Sequence, residues 1–183
     1  MTISRAFLPL PGQEFDPPAP DADPADFRGA LRRLASGVSV VTTGSGAERT
    51  GLTVTSVASL SAEPPCVVFG LNVAGSSLPV LERFRAFGVN VLAERHQPVA
   101  ERFSGRGGIK GPERYAGADW IALATGASIL ADAPAALDCE LEELIPRHSQ
   151  AIVVGRVKAV HLGSAADALL YWQAGYAGLG GRP

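Results

Sequence analysis

From residue 25 onward the chain alternates short apolar stretches with turn-forming clusters, and that rhythm predicts strands interrupted by a few helices. A helix opens at Pro24 with Asp23 as N-cap. Phe27, Ala30, Leu31 and Leu34 recur along it at i, i+3, i+4 and i+7 as an apolar stripe, and Gly37 stops it. Strands are predicted over 38–42, 52–60 and 66–71, with Gly44-Ser45-Gly46 and Glu63-Pro64-Pro65 supplying turns. A helix over 78–85 leads into a strand over 87–92, and a short helix follows over 98–103. Three further strands read as 136–144, 151–161 and 169–172. In the segment from Leu52, Leu52, Val54, Ala58 and Leu60 fall on one face, while Thr53, Thr55, Ser59 and Ser61 fall on the other.

The stretch 1–24 has no such period. It carries six prolines and several aspartates and reads as a flexible arm preceding a domain over 25–177, with a flexible tail at 178–183; the Gly-rich end Gly175–Pro183 reads as frayed. The loop 104–120, with five glycines, Arg106, Lys110 and Arg114, also lacks a core-forming period, and loops of that length are often functional. Strands at hairpin spacing without regular βαβ alternation predict a mainly β, six-stranded antiparallel barrel with flanking helices, and disfavour a doubly wound parallel sheet.

Composition narrows the function classes. A chain of 183 residues, 46% hydrophobic and 19% charged, is globular and large enough to bury about 70% of its unfolded surface. A net charge of −2 and pI near 5.9, with basic residues scattered, argue against a nucleic-acid or anionic-membrane surface. Cys66 and Cys139 each sit in apolar runs and read as buried thiols of a reducing compartment. Without a signal segment or an apolar run of about 18 residues, the expected location is cytoplasmic. The spacing of His96, His148 and His161 matches no metal-ligand pattern.

Two segments carry candidate chemistry. The hydroxyl-bearing face from Thr53 to Ser61 suits a flat, polar, uncharged ring; alone it is equally a solvent-facing Thr/Ser strand. Asn72-Val73-Ala74-Gly75-Ser76-Ser77 is a turn opening a helix, where unpaired N–H groups and the helix dipole favour a phosphate. Ser76 and Ser77 also satisfy the requirements of an ordinary N-cap.

In order, Phe27-Arg28-x-x-Leu31, Gly37-Val38, Gly51-x-Thr53-x-x-Ser56-x-x-Ser59-x-Ser61, Pro64-Pro65, Asn72-x-x-x-Ser76-Ser77, Phe87-x-Val89-Asn90-Val91-Leu92, Arg102-Phe103, His148, Gly155-x-Val157 and Leu169-Leu170-Tyr171 resemble the flavin reductase-like family across roughly residues 25–177. The resemblance implies a homodimeric split barrel that transfers hydride from NADH or NADPH to FMN, or to FAD or riboflavin, and supplies reduced flavin to a partner monooxygenase. It implies that Thr55, Ser56, Val57, Ala58 and Ser59 contact the flavin ring and ribityl chain, and that Asn72, Ser76 and Ser77 hold the phosphate. Arg102 and Phe103 would close over the site, and His148 would lie near the nicotinamide. Two departures stand out: Val57 replaces a frequent aromatic, and Arg147 precedes His148 in place of an acidic residue. The alternatives are a pyridoxamine-phosphate-oxidase-like FMN enzyme reduced by its own substrate, and a flavin-binding carrier or sensor without turnover.

Overall fold

The computed structural model describes residues 20–180. They divide into two units, one ending at Leu31 and the other beginning at Arg32. The described part of the first is α1 (Pro24–Leu31), with Asp23 as N-cap: its Oδ1 accepts from the backbone N–H groups of Ala25 at 2.7 Å and Asp26 at 3.2 Å. The helix ends six residues before Gly37 and buries none of its residues, so the expected core stripe is an exposed one. Residues 1–19 of the predicted arm, and 181–183 of the predicted tail, lie outside the described residues.

The second unit opens with β1 (Ser36–Gly37), β2 (Ser39–Thr43), β3 (Thr50–Val54), β4 (Ala58–Ala62) and β5 (Pro65–Asn72). After α2 (Ser77–Phe84) come β6 (Ala86–Val91), α3 (Gln97–Phe103), β7 (Trp120–Ala122) and β8 (Ser128–Leu130). The long β9 (Ala135–Arg147) and β10 (Gln150–Leu162) form a hairpin, and β11 (Ala168–Trp172) pairs with β12 (Gly175–Leu179). All pairings are antiparallel. The main sheet has seven strands in the order β3-β2-β6-β9-β10-β5-β4, where six had been expected in a barrel; β1-β11-β12 and β7-β8 form two smaller sheets.

The predicted strand over 52–60 is two strands at opposite edges of the main sheet. Its alternation is local and indifferent to which neighbour supplies the hydrogen bonds: β3 pairs with β2, β4 with β5. Three residues, Thr55, Ser56 and Val57, make the crossing. From Val54 to Ala58 a chain reaches at most about 14 Å, whereas the edges of a flat seven-stranded sheet stand about 29 Å apart at the usual strand spacing. The sheet therefore curls until its two edges face each other. Ser56 fixes the crossing, its Oγ accepting a hydrogen bond from the Gly70 N–H at 3.0 Å.

Two apolar clusters fill the unit. Phe69 and Phe87 meet edge to face at 5.4 Å in one; Phe103, Tyr115 and Trp120 surround one another at 4.9–5.7 Å in the other. Cys66 and Cys139 are both buried and free, as expected, and burial pushes the Cys139 thiol up to about 12. The Gly-rich end is not frayed as far as it is described, since Gly175–Leu179 pairs fully with β11.

Beside α3, buried His96 accepts the Ala93 N–H at Nδ1 (3.1 Å) and contacts Asp132 Oδ2 through Nε2 at 3.0 Å. This hydrogen bond, with Arg95 close by, holds the Asp132 carboxyl below the usual carboxylate range. A lowered carboxylate pKa stabilises the fold above its unfolded value, and the contribution is lost as pH falls through the folded one. Urea unfolding from pH 6 down to 3 should therefore lose stability more gently in Asp132→Asn than in the natural protein.

Candidate functional site

The site forms where β3, the start of α2 and the long loop after α3 converge. At the end of β5 the chain turns sharply: Asn72 Oδ1 accepts the Ala74 N–H at 2.9 Å and the Asn72 carbonyl accepts the Gly75 N–H at 3.0 Å. A Cβ at Gly75 would lie 3.0 Å from the Asn72 carbonyl oxygen, so glycine allows the close turn. Ser76 follows at the N-cap of α2, exposed, its side chain making no capping hydrogen bond. Its hydroxyl is free for a ligand, which an ordinary cap would not leave. Ser77 is buried, and its Oγ donates to the Gly51 carbonyl at 3.3 Å.

The loop 104–120 is better ordered than its composition suggests. Two 3-10 turns, Arg106–Gly108 and Gly111–Tyr115, fold it back. Tyr115 is buried, donates its hydroxyl to the Thr50 carbonyl at 2.6 Å, and carries the Arg49 guanidinium 4.3 Å over its ring. That anchor drives Arg114 inward, to 8% exposure. Arg114 Nε donates to the Ile109 carbonyl at 3.1 Å and Nη1 donates to the Gly51 carbonyl. Its Nη2 hydrogen-bonds no described residue, and among those residues no carboxylate pairs with it. Burial pulls its pKa below the ordinary arginine value, yet a guanidinium stays protonated in proteins. The result is a buried cation satisfied only by carbonyl oxygens, in a setting where an unpaired charge is costly.

Arg114, Asn72, Gly75, Ser76, Ser77 and Ser104 border a cleft of about 160 Å³. A cation, free hydroxyl and helix N-terminus facing one small space suit an anion, a phosphate above all. Of the residues the sequence pointed to, the structure brings Asn72, Ser76, Ser77 and Phe103 to this cleft. Phe103 serves mainly as packing, being fully buried against Tyr115 and Trp120. Thr55 borders an adjoining cleft. Ser56 holds the strand crossing, Val57 packs on the core, and Ala58 and Ser59 lie exposed on edge strand β4.

Arg102 does not reach the cleft. Its Nη2 and Nε donate to the carbonyls of Glu113 (2.6 Å) and Arg114 (3.3 Å), so it braces the loop from outside and Arg114 occupies the place expected of it. His148 sits exposed at φ 53° in the two-residue turn between β9 and β10. The Val73 N–H donates to the carbonyl of its neighbour Ser149 at 3.1 Å, which seats this turn against the Asn72 bend.

Residues 31–180 match the flavin reductase like domain. The chain is 41% identical over 150 residues to the reductase component of 4-hydroxyphenylacetate 3-monooxygenase from Thermus thermophilus, covering 82% of this chain and 93% of that one. It is 34% identical over 156 residues to the FMN reductase (NADH) RutF of Bradyrhizobium diazoefficiens, covering 85% and 86%. Among solved structures it superposes on BorF, the flavin reductase component of a bacterial two-component tryptophan halogenase, with a TM-score of 0.80 and 30% identity, covering 87% of this chain and all of that one. The chain belongs to the flavin reductase-like family.

Proposed function

We propose that this protein is an NADH-dependent flavin reductase that reduces FMN and passes it to a separate monooxygenase. The observation that carries the reading is the Arg114 cleft, where a buried cation borders the same small space as Ser76 and the α2 N-terminus. FMN ends in a phosphate of the charge and size this cleft accommodates, and the names of its relatives describe an FMN reductase (NADH) and a monooxygenase reductase component. In this reading Arg114, Ser76 and the turn at Asn72 hold the phosphate, while Thr55 to Ser59 contact the ring and ribityl chain. Bound flavin supplies the acceptor for the hydride of the reduced nicotinamide. The residues contribute positioning, which is what such a transfer requires of a protein.

In this reading His148, on the turn that the Ser149 carbonyl joins to Val73 beside Asn72, contacts the nicotinamide substrate. A single net hydrogen bond is worth about 0.5–1.5 kcal/mol, so His148→Ala should raise the KM for NADH about two- to tenfold with kcat nearly unchanged. Steady-state kinetics decide it, and an unaltered kcat/KM removes His148 from the site.

The reading includes a homodimer and a cytoplasmic setting. Leu60 on β4 and Ile152, Val160 and Leu162 on β10 are exposed apolar side chains, which a second copy would cover. Light scattering on the purified protein should give twice the chain mass, and Ile152→Asp should shift it toward the monomer. Two buried free thiols accord with a reducing compartment. Among the described residues no helix is long and apolar enough to cross a membrane.

A further inference from the structure

Arg114 is not the one unpaired guanidinium in this part of the fold. Arg49, just before β3, is half-buried, with its guanidinium 4.3 Å from the centre of the Tyr115 ring. Its buried Nε has no hydrogen-bond partner, and no carboxylate pairs with it, among the described residues. The neighbouring Glu48 is engaged by Arg83, and Glu101, Glu113 and Asp119, the carboxylates of α3's last turn and of the loop after it, are exposed. Three consecutive residues tie the two cations together. Arg49 covers the Tyr115 ring, the Thr50 carbonyl accepts the Tyr115 hydroxyl at 2.6 Å, and the Gly51 carbonyl accepts Arg114 Nη1. Burial pushes the Tyr115 phenol's pKa up, while Arg49 and Arg114 both pull against it, so the two fields converge on one group. A cation with an orphaned buried donor and no counter-charge is costly. Arg49 does not border the cleft itself.

We propose that Arg49 makes the cleft selective for a doubly charged phosphate monoester over singly charged groups of the same shape, acting through its field while Arg114 makes the contact. A cation that acts across a ring without touching the ligand is felt in proportion to the charge it acts on. A phosphate monoester carries close to two negative charges above its second pKa of about 6. A sulfate ester carries one, as does each phosphate of a pyrophosphate, and a free hydroxyl carries none. FMN is the flavin that ends in a monoester; FAD continues through a pyrophosphate, and riboflavin ends in a hydroxyl. Arg49 is thereby a specificity-determining residue that favours FMN as the flavin substrate, and the second, uncompensated cation acquires a purpose. The inference rests on the Arg114 cleft being the flavin-phosphate site.

The test is calorimetric titration of FMN, riboflavin 5′-sulfate and riboflavin into the full chain at about pH 8, where the phosphate is doubly ionised. It is run on the natural protein, Arg49→Met and Arg49→Lys, with thermal unfolding recorded for each. The natural protein should bind FMN about tenfold more tightly than the sulfate. Arg49→Met should lose about tenfold for FMN, about threefold for the sulfate and less than about twofold for riboflavin. Arg49→Lys keeps a cation over the ring and should keep the selectivity. Arg49→Gln gives the same reading should the methionine variant unfold. A merely structural role would lower FMN and the sulfate by one common factor, since the two ligands share a shape, and that result overturns the inference. An unchanged preference for FMN over the sulfate in Arg49→Met overturns it as well. FMN that binds the natural protein no more tightly than riboflavin shows instead that the cleft is not the phosphate site, and the inference falls with that reading.

Discussion

Replacing Arg114 with methionine should weaken FMN binding by about 10- to 100-fold while leaving riboflavin binding within a few-fold. Hydrogen bonds to charged groups contribute about 1.5–3 kcal/mol, and each 1.4 kcal/mol is tenfold in affinity. The discrimination between the two ligands is the informative part. Arg114 also ties the Gly51 and Ile109 carbonyls together, so its loss loosens the loop in any case. A loosened loop lowers affinity for both flavins, whereas a lost phosphate partner lowers affinity only for the one that carries a phosphate. Arg114→Lys keeps the charge but cannot span two carbonyls and an anion at once, so it should fall between. Raising ionic strength should weaken FMN binding to the natural protein and leave the methionine variant nearly insensitive. Equal losses for FMN and riboflavin would reduce Arg114 to a prop.

Gly51→Ala should lower the unfolding midpoint by about 5–10 °C and abolish tight FMN binding with it. A Cβ at this position would collide with the Val41 carbonyl oxygen and lie 2.7 Å from the Phe103 ring. The first neighbour is the backbone of central strand β2 and the second is fully buried, so neither can yield cheaply. Overpacking of this kind costs about 1–3 kcal/mol, and a domain of this size loses about 2–4 °C per kcal/mol. The effect on ligand follows from the same atoms, because the Gly51 carbonyl receives both Ser77 Oγ and Arg114 Nη1. Displacing that carbonyl displaces the cation. Gly37→Ala, where an added Cβ meets nothing within 4 Å, is the matched control and should unfold within about 2 °C of the natural protein. Differential scanning calorimetry reads both.

What the sequence disclosed follows the range of the interactions that write it. Strands β2, β5, β6, β9 and β10 and the bend from Asn72 to Ser77 were legible because apolar runs and Gly/Ser turns act over a few residues. The change of partners between β3 and β4 was not, since Thr53 to Ser61 alternates smoothly while the hydrogen-bonding neighbour switches from one edge of the sheet to the other. Arg114 was hidden for a related reason. Its burial depends on Tyr115 reaching the Thr50 carbonyl, 65 residues away, and on Phe103 and Trp120 closing around that ring. The one local signal was the density of aromatics, Phe103, Tyr115 and Trp120, flanking a Gly-rich stretch. Arg102 was the candidate that the family resemblance implied, but its guanidinium is engaged by the Glu113 and Arg114 carbonyls. Tyr176 was lost to a tail reading by its surrounding glycines, although a strand opposite β11 tolerates them.

The central claim is that this chain moves reducing equivalents from NADH to flavin. The most direct measurement is to mix purified protein with NADH and FMN under anaerobic conditions and follow the absorbance of both in one experiment. The account predicts that FMN bleaches in step with the loss of NADH, one for one and only in the presence of protein. FMN that binds but stays oxidised while NADH persists would contradict it and point to an FMN oxidase reduced by another substrate, or to a flavin carrier.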